Sequence, residues 1–163
     1  MKAYTIICRR RMKMNRRIIE ESSIQLNVSA KNWEEAVRIC GEVLVDNGKV
    51  EMTYVDAMIN NIKEYGPYIL IAPGVALPHA RPEDGVKEEG ICIVHLQDEV
   101  AFEPGKEFKV LIGLAARDKE SHLNILRKIA EVISEEKTIE QLKNATGLQE
   151  VLTLFNGKEE LER

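Results

Sequence analysis

Hydrophobic and polar residues form distinct patterns along the first third of the chain, and each pattern predicts one element of secondary structure. Residues 22–28 alternate apolar and polar side chains, which indicates a strand with one buried face. Asn32 is a residue type that favours helix N-caps, and apolar residues recur after it every three or four positions until Asn47-Gly48. The spacing predicts a helix there and a second helix over 51–65.

The middle of the chain contains short runs of consecutive apolar residues, whereas the helices predicted before it have an apolar residue at every third or fourth position. Three of them, at 68–72, 91–96 and 108–115, are typical of central strands buried on both faces. A further short strand is predicted at 74–77. Residues 82–85 read Pro-Glu-Asp-Gly and predict a turn, because proline presets φ and glycine accepts positive φ.

The last third returns to helical spacing. Asp118 is expected to cap one helix, and Thr146 together with Gln149 is expected to cap another. Helices before and after a group of strands predict an α/β fold, a three-layer sandwich in which one mixed β-sheet is flanked by helices on both faces.

The chain of 163 residues suits a single domain, which we assign to residues 18–156. Residues 1–17 hold seven basic side chains and no acidic one, and they form a basic N-terminal extension that we expect to be non-native or disordered. Two interpretations of this extension stay open: an arm for nucleic acid or anionic lipid, or a mis-assigned start, since Met14 is an alternative first residue. Residues 157–163 form a charged tail.

The overall charge and the cysteines narrow the class of protein. The net charge of the chain is −4 although residues 1–17 are basic, so the rest of the chain is strongly acidic. An acidic domain does not fit nucleic-acid binding as the main function. No apolar segment is long enough for a membrane span or a secretory signal, so we expect a cytoplasmic protein. Cys8, Cys40 and Cys92 are odd in number and contain no CxxC spacing, which favours reduced thiols over a disulfide framework.

His79 is the first candidate for chemistry. It follows Pro78 in a segment of prolines, glycine and small residues, and a neutral imidazole is a competent nucleophile toward phosphorus. Arg81 offers a donor fork that fits phosphate oxygens, so it is a candidate phosphate-binding residue. The alternative is an ordinary surface histidine.

His122 is the second candidate, because it falls in the first turn of the helix predicted to begin near Asp118. Unpaired N–H groups and the helix dipole favour an anion at that position. A role in capping or packing is the alternative. His95 falls inside an apolar strand and is interpreted as structural, and the three histidines show no metal-ligand spacing, so neither a metal nor a cofactor is expected.

At Gly74-Val75-Ala76-Leu77-Pro78-His79 the chain resembles the EIIA components of the phosphoenolpyruvate-dependent sugar phosphotransferase system, in the mannitol/fructose class. The segments Glu64-Tyr65-Gly66-Pro67-Tyr68 and 78–86 resemble its ascorbate-type branch. The resemblance covers roughly residues 18–155. It departs from the mannitol and fructose members at Lys63-Glu64, where they usually carry Arg-Glu, and Arg81 is our candidate substitute for that arginine.

The resemblance implies a phosphotransferase with a phosphohistidine intermediate. His79 matches the phosphorylated histidine, which accepts a phosphoryl group from HPr and passes it to a cysteine of EIIB. EIIB then phosphorylates ascorbate or a related sugar as the membrane component EIIC imports it. His122 matches the second histidine, which stabilises the phosphoryl group. The resemblance also implies the mixed sheet flanked by helices.

Two rival hypotheses stay open on the sequence alone. In one, the chain is an EIIA-like regulatory module whose histidine phosphorylation controls a partner protein without sugar transport. In the other, residues 1–17 make it a nucleic-acid binder, which the acidic body disfavours.

Overall fold

The computed structural model describes residues 19–157, so the basic extension, Cys8 and all of the charged tail except Gly157 lie outside the described residues. Within 19–157 the chain forms five strands and five helices. The strands are β1 (Ile24–Val28), β2 (Leu70–Ala72), β3 (Gly74–Ala76), β4 (Gly90–Ala101) and β5 (Glu107–Ala115). The helices are α1 (Trp33–Asp46), α2 (Met52–Tyr65), α3 (Lys119–Ile133), α4 (Glu136–Lys143) and α5 (Leu148–Asn156).

The five strands form one sheet in the order β1-β4-β5-β3-β2. The long strands β4 and β5 pair antiparallel at its centre. β1 runs parallel to β4, and β3 runs parallel to β5. β2 pairs antiparallel with β3 at one edge, so the sheet is mixed, as predicted.

The sheet separates two hydrophobic cores, because successive side chains of a strand point to opposite faces. On β4, Cys92 and Val94 belong to the core under α1 and α2. Ile91 and Ile93 belong to the core under α3, α4 and α5. Each fully buried side chain of this size contributes about 1.5–3 kcal/mol relative to an exposed one. Helices therefore cover both faces, and the predicted three-layer sandwich is confirmed.

Strand β2 differs from its prediction as a central strand. It covers only three residues between Pro67 and Pro73, and it lies at the edge of the sheet, where Ile71 is 37% exposed. Tyr68 lies outside the strand and is exposed. An apolar run cannot by itself distinguish an edge strand from a central one, because the difference is made by which strand pairs beside it.

The helix caps are partly as predicted. Asn32 accepts a hydrogen bond from the backbone N–H of Glu35 at 2.8 Å, which confirms the first cap. The cap predicted at Thr146 is wrong: Gly147 is the N-cap of α5, and the Thr146 hydroxyl bonds instead to the Glu150 carboxylate. Helix α4 is absent from the prediction, because only two of its eight side chains are buried.

Cys40 and Cys92 are fully buried free thiols in the core under α1 and α2. Their sulfur atoms lie 3.5 Å apart, and the hydrogen bond between them, together with burial, raises the pKa of the Cys40 thiol. A Cβ atom at Gly113 would lie within 2.8 Å of both sulfurs, so this strand position has no room for a side chain. No helix in the described part of the chain is long and apolar enough to cross a membrane.

Candidate active site

His79 lies in a loop that leaves the short strand β3. Gly74, the first residue of that strand, has a φ of 81°, which glycine adopts without steric cost. A Cβ atom there would also lie 3.0 Å from the Lys143 side chain. Val75, Ala76, Leu77 and Pro78 are buried, so the backbone before His79 is fixed in the core while the histidine is half-buried.

The imidazole of His79 has one nitrogen engaged with its own chain. Nδ1 lies 2.8 Å from the carbonyl oxygen of Leu77. A carbonyl oxygen only accepts hydrogen bonds, so Nδ1 carries the proton in the neutral ring and Nε2 holds the free lone pair. The geometry therefore leaves Nε2 as the ring nitrogen of His79 that is available to a reaction partner.

His122 lies in the first turn of α3, and a capping box fixes that turn. The carboxylate of Asp118 accepts from the backbone N–H of Ser121 at 2.8 Å, and the Ser121 hydroxyl accepts from the N–H of Asp118 at 3.2 Å. The imidazole of His122 lies beside that of His79, with ring centroids 5.7 Å apart. The two histidines, far apart in the sequence, are thus neighbours in space.

The surroundings of His122 favour its neutral form. Burial lowers the pKa of His122, and the nearby His79 lowers it further. Hydrogen bonds from the Ser121 backbone N–H and hydroxyl lower the pKa of Asp118. Asp118 is therefore an anion bonded to the helix N-terminus, which partly offsets the repulsion it would exert on a second anion nearby.

Both histidines line one surface cavity of about 480 Å³. Two cations, Arg81 and Lys119, line it as well, and neither takes part in an ion pair among residues 19–157. The structure therefore brings together all three site residues predicted from the sequence, His79, His122 and Arg81. A cavity with two imidazoles and two such cations can accept a phosphoryl group and bind its oxygens.

The cavity also contains residues that the sequence analysis did not assign to a site. Asn61 lines it from α2, and Lys119 lines it from the start of α3. Lys63, the residue aligned with the arginine of the related motif, lies elsewhere and pairs with Glu34 at 3.1 Å. Asn61 lies two positions before Lys63, so the two side chains point to different sides of the helix, but helical spacing does not tell which of these sides borders the cavity.

Three exposed apolar side chains surround the two histidines: Tyr65, Tyr68 and Leu123. The helical spacing predicts that Tyr65 and Leu123 face the core, but they are 64% and 54% exposed. Tyr65 is the last residue of α2 and Leu123 lies near the start of α3, and both side chains line the cavity, so helical spacing alone assigns them to the wrong side. The ring of Tyr68 approaches that of His79 edge-on, with centroids 6.0 Å apart.

His95 lies apart from this cavity. It is 8% exposed on β4, and its Nε2 is 2.6 Å from the carbonyl oxygen of Lys143, at the end of α4. Its Nδ1 finds no hydrogen-bond partner among the described residues.

Two other candidates for a site are a second cavity and a cluster of metal-binding side chains. A second cavity, of about 500 Å³, lies on the other side of Asp118 and is lined by neither histidine nor cysteine. Within residues 19–157, no cluster of three or more His, Cys, Asp or Glu side chains could hold a metal ion.

The sequence and structure of the chain match known proteins over most of its length. The family model for the "phosphoenolpyruvate-dependent sugar phosphotransferase system, EIIA 2" matches residues 17–158. An ascorbate-specific EIIA component from Salmonella choleraesuis is 36% identical over 148 residues, which cover 89% of this chain and 96% of that protein. A mannitol-specific cryptic enzyme IIA component from Escherichia coli is 37% identical over 138 residues, 83% of this chain and 93% of that protein.

A solved structure extends the comparison to a complex. The Escherichia coli enzyme IIAMTL, determined in complex with phosphorylated enzyme IIBMTL, matches with a TM-score of 0.77 and 31% identity, over 86% of this chain and 98% of that one. Since the family model spans all of the described residues and the cavity holds the paired histidines, the chain belongs to the EIIA 2 family of the phosphoenolpyruvate-dependent sugar phosphotransferase system and is a phosphotransferase.

Proposed function

We propose that His79 is the phosphorylated residue of this protein and that it carries a phosphoryl group from HPr to EIIB. The observation that carries the proposal is the hydrogen bond between Nδ1 of His79 and the Leu77 carbonyl, which leaves Nε2 as the nucleophile in a cavity shared with His122. The Escherichia coli relative solved with phosphorylated IIB supports EIIB as the acceptor.

The reaction consists of two displacements at phosphorus. In the first, the Nε2 lone pair of His79 forms a bond to phosphorus while the bond to the HPr histidine breaks. In the second, a cysteine thiolate of EIIB forms the new bond while the bond to Nε2 breaks, which returns His79 to its starting form. Both transition states are loose and place negative charge on the equatorial oxygens, so catalysis consists of alignment and of donors directed at those oxygens.

His122 and Arg81 are the proposed donors in this mechanism. His122 lies beside His79, and its imidazole N–H is suited to a phosphoryl oxygen. Arg81 is exposed at the edge of the cavity, where its guanidinium can bind two oxygens at once. Asp118 is hydrogen-bonded to Ser121, and Lys119 adds a second positive charge near the accepted group.

The proposed carrier acts in the cytoplasm and supplies a system for ascorbate or a related sugar, with EIIC as the indirect membrane partner. The support for the sugar is the similarity to ascorbate-specific EIIA components. The sugar is bound by other chains, so the test must use them. We expect the phosphorylated protein to transfer its phosphate to an ascorbate-type EIIB faster than to a mannitol-type EIIB. Equal or reversed rates would contradict the assignment of the sugar.

The first experiment incubates the protein with phosphoenolpyruvate, Enzyme I and HPr and measures its intact mass. Wild type should gain one acid-labile phosphoryl group, and His79→Ala should gain none. A His95→Leu variant serves as the histidine control and should be phosphorylated like wild type. Wild type that gains no phosphate, or His79→Ala that still gains it, would contradict the proposal. A phosphorylated protein that no EIIB accepts would favour the regulatory module over the carrier.

A further inference from the structure

Tyr54 is a buried residue of α2 whose hydroxyl group reaches the loop that carries His79. Its side chain is fully buried. The hydroxyl oxygen accepts a hydrogen bond from the backbone N–H of Ala80 at 3.0 Å and donates one to the carbonyl oxygen of Leu114 at 2.5 Å. A hydroxyl has one donor and can accept as well, so this arrangement uses both capacities.

Leu114 also bonds to the other side of His79. Its backbone N–H donates to the carbonyl oxygen of Pro78 at 3.1 Å. The residues immediately before and after His79 are therefore both connected to Leu114, one directly and the other through the Tyr54 hydroxyl. The only side chain in this set of hydrogen bonds is that of Tyr54.

Leu114 lies close in the chain to the second histidine of the site. It is near the end of β5, and Asp118 and His122 come a few residues later, at the start of α3. The Tyr54 hydroxyl thus joins the segment that carries His79 to the segment that carries His122. Phosphoryl transfer depends on alignment, and a misplacement of about 1 Å can cost on the order of 10²-fold in rate.

The hydroxyl stays protonated in the folded protein. Burial is the main cause that raises the pKa of Tyr54 above its ordinary value, and the backbone hydrogen bond at Ala80 opposes it only in part. The donor to Leu114 is consequently present over the whole neutral range of pH.

We propose that Tyr54 is a positioning residue for phosphoryl transfer, whose hydroxyl sets the placement of His79 relative to His122. The proposal rests on the proposed function of His79. Tyr54 is buried and cannot contact a partner protein, so its effect should fall on the rate of transfer and not on the docking of the phosphate donor.

The test compares wild type with Tyr54→Phe in steady-state transfer from phosphorylated HPr. We expect kcat to fall by about ten- to a hundredfold while KM for phosphorylated HPr stays within about twofold. Hydrogen exchange of the Ala80 amide should become faster in the variant, since that N–H loses its acceptor. Unchanged kcat, or a rise in KM alone, would overturn the proposal.

Val151→Ala is the matched control for stability. Val151 is fully buried in the core on the opposite face of the sheet, so its truncation should lower the melting temperature and leave kcat unchanged. If Val151→Ala lowers kcat as much as Tyr54→Phe does, the effect is general destabilisation and the positioning role is overturned. Wild type that takes no phosphate would overturn the proposed function, and this role with it.

A second variant keeps the proposal testable if Tyr54→Phe does not fold. Incorporation of 3,5-difluorotyrosine at position 54 keeps the hydroxyl and its hydrogen bonds but lowers the pH at which the hydroxyl ionises. Ionisation removes the donor to Leu114, so kcat of this variant should fall on the alkaline side of its pH profile where wild type stays level. The ultraviolet absorbance of the phenolate shows the pH at which residue 54 ionises, and identical profiles across that pH would overturn the proposal.

Discussion

His79 and His95 are two histidines of one domain, and each bonds one ring nitrogen to a backbone carbonyl. His79 bonds through Nδ1 to Leu77, and His95 bonds through Nε2 to Lys143. They differ in the surroundings of the second nitrogen. The ring of His79 lies in an open cavity beside His122, whereas His95 is 8% exposed and its second nitrogen has no partner among the described residues. Access to the second nitrogen is therefore the difference that supports His79 as the proposed reactive imidazole and His95 as a structural one.

The largest effect on the rate of phosphoryl transfer is expected from the replacement of His122, whose ring lies beside that of His79. Replacing His122 with alanine removes one proposed donor to the phosphoryl group, and the loss of a preorganised donor typically costs on the order of 10²–10³ in rate. Rapid-quench transfer assays from phosphorylated HPr measure the change, and circular dichroism checks the fold.

Asn124→Ala is the control for this variant, because Asn124 is exposed on the same helix and lies outside the cavity of His79. It should transfer phosphate at the wild-type rate. A wild-type rate in His122→Ala would show that the second histidine does not take part.

A separate effect concerns His95 and should appear only in the free energy of unfolding, not in the transfer rate. His95→Leu removes the hydrogen bond to the Lys143 carbonyl, while it also removes the unpartnered Nδ1 of the described structure. We expect a net loss of about 1 kcal/mol in the free energy of unfolding, within the range for a buried acceptor that loses its donor. Urea unfolding measures it. A lower phosphoryl-transfer rate in a folded His95→Leu protein would contradict the separation between the two histidines.

Arg81 should have a smaller effect on transfer than His122, since its side chain is exposed and water screens its charge. We expect Arg81→Ala to slow transfer about tenfold, which corresponds to roughly 1.4 kcal/mol of transition-state stabilisation. Arg127→Ala, an exposed arginine on α3 outside the cavity, is the control. Equal rates in the two variants would remove Arg81 from the site.

The smallest effect concerns the titration of His122. Its pKa in the folded protein lies below the ordinary value because of burial first and His79 second. His79→Ala should therefore raise the pKa of His122 only part of the way, as measured by an NMR titration of the imidazole signals. Full recovery of the ordinary value would show that His79, not burial, is the larger cause.

The same shift fixes the sign of a pH effect on stability. The unfolded chain binds a proton at His122 at a higher pH than the folded chain does, so acid favours unfolding. The contribution of neutral His122 to the free energy of unfolding is fully present above the ordinary histidine pKa of about 6.5. It is lost as the pH falls through the lowered pKa of the folded protein. Urea unfolding at several pH values should show this decrease in wild type, and His122→Ala should show less of it.

Local sequence patterns were sufficient to predict two of the helix caps and buried positions inside apolar segments. Asn32 and Asp118 cap their helices as predicted, because the N-cap depends on a side chain and the N–H three residues later. Cys40 falls in the helical spacing after Asn32 and Cys92 in the apolar run 91–96, and both are fully buried, as these patterns predict. The helical spacing is wrong for Tyr65 and Leu123, which are exposed and line the cavity, because spacing does not show where a helix leaves the core and borders a surface site.

The sequence by itself determined the layers of the fold and the residue types of the site. The periods of two and of about 3.6 indicated which segments are strands and helices. The segment around His79 carried the family resemblance, and His79 is the proposed nucleophile because of it. Only the tertiary structure decided which nitrogen of His79 is free and that His122 and Arg81 share its cavity. It also decided that Lys63 pairs with Glu34 outside the cavity. The contacts of the Tyr54 hydroxyl with the two histidine segments are likewise visible only in the fold. The physical reason is that most of these relations are made between residues far apart in the chain, by strand pairing and helix packing that no local pattern encodes.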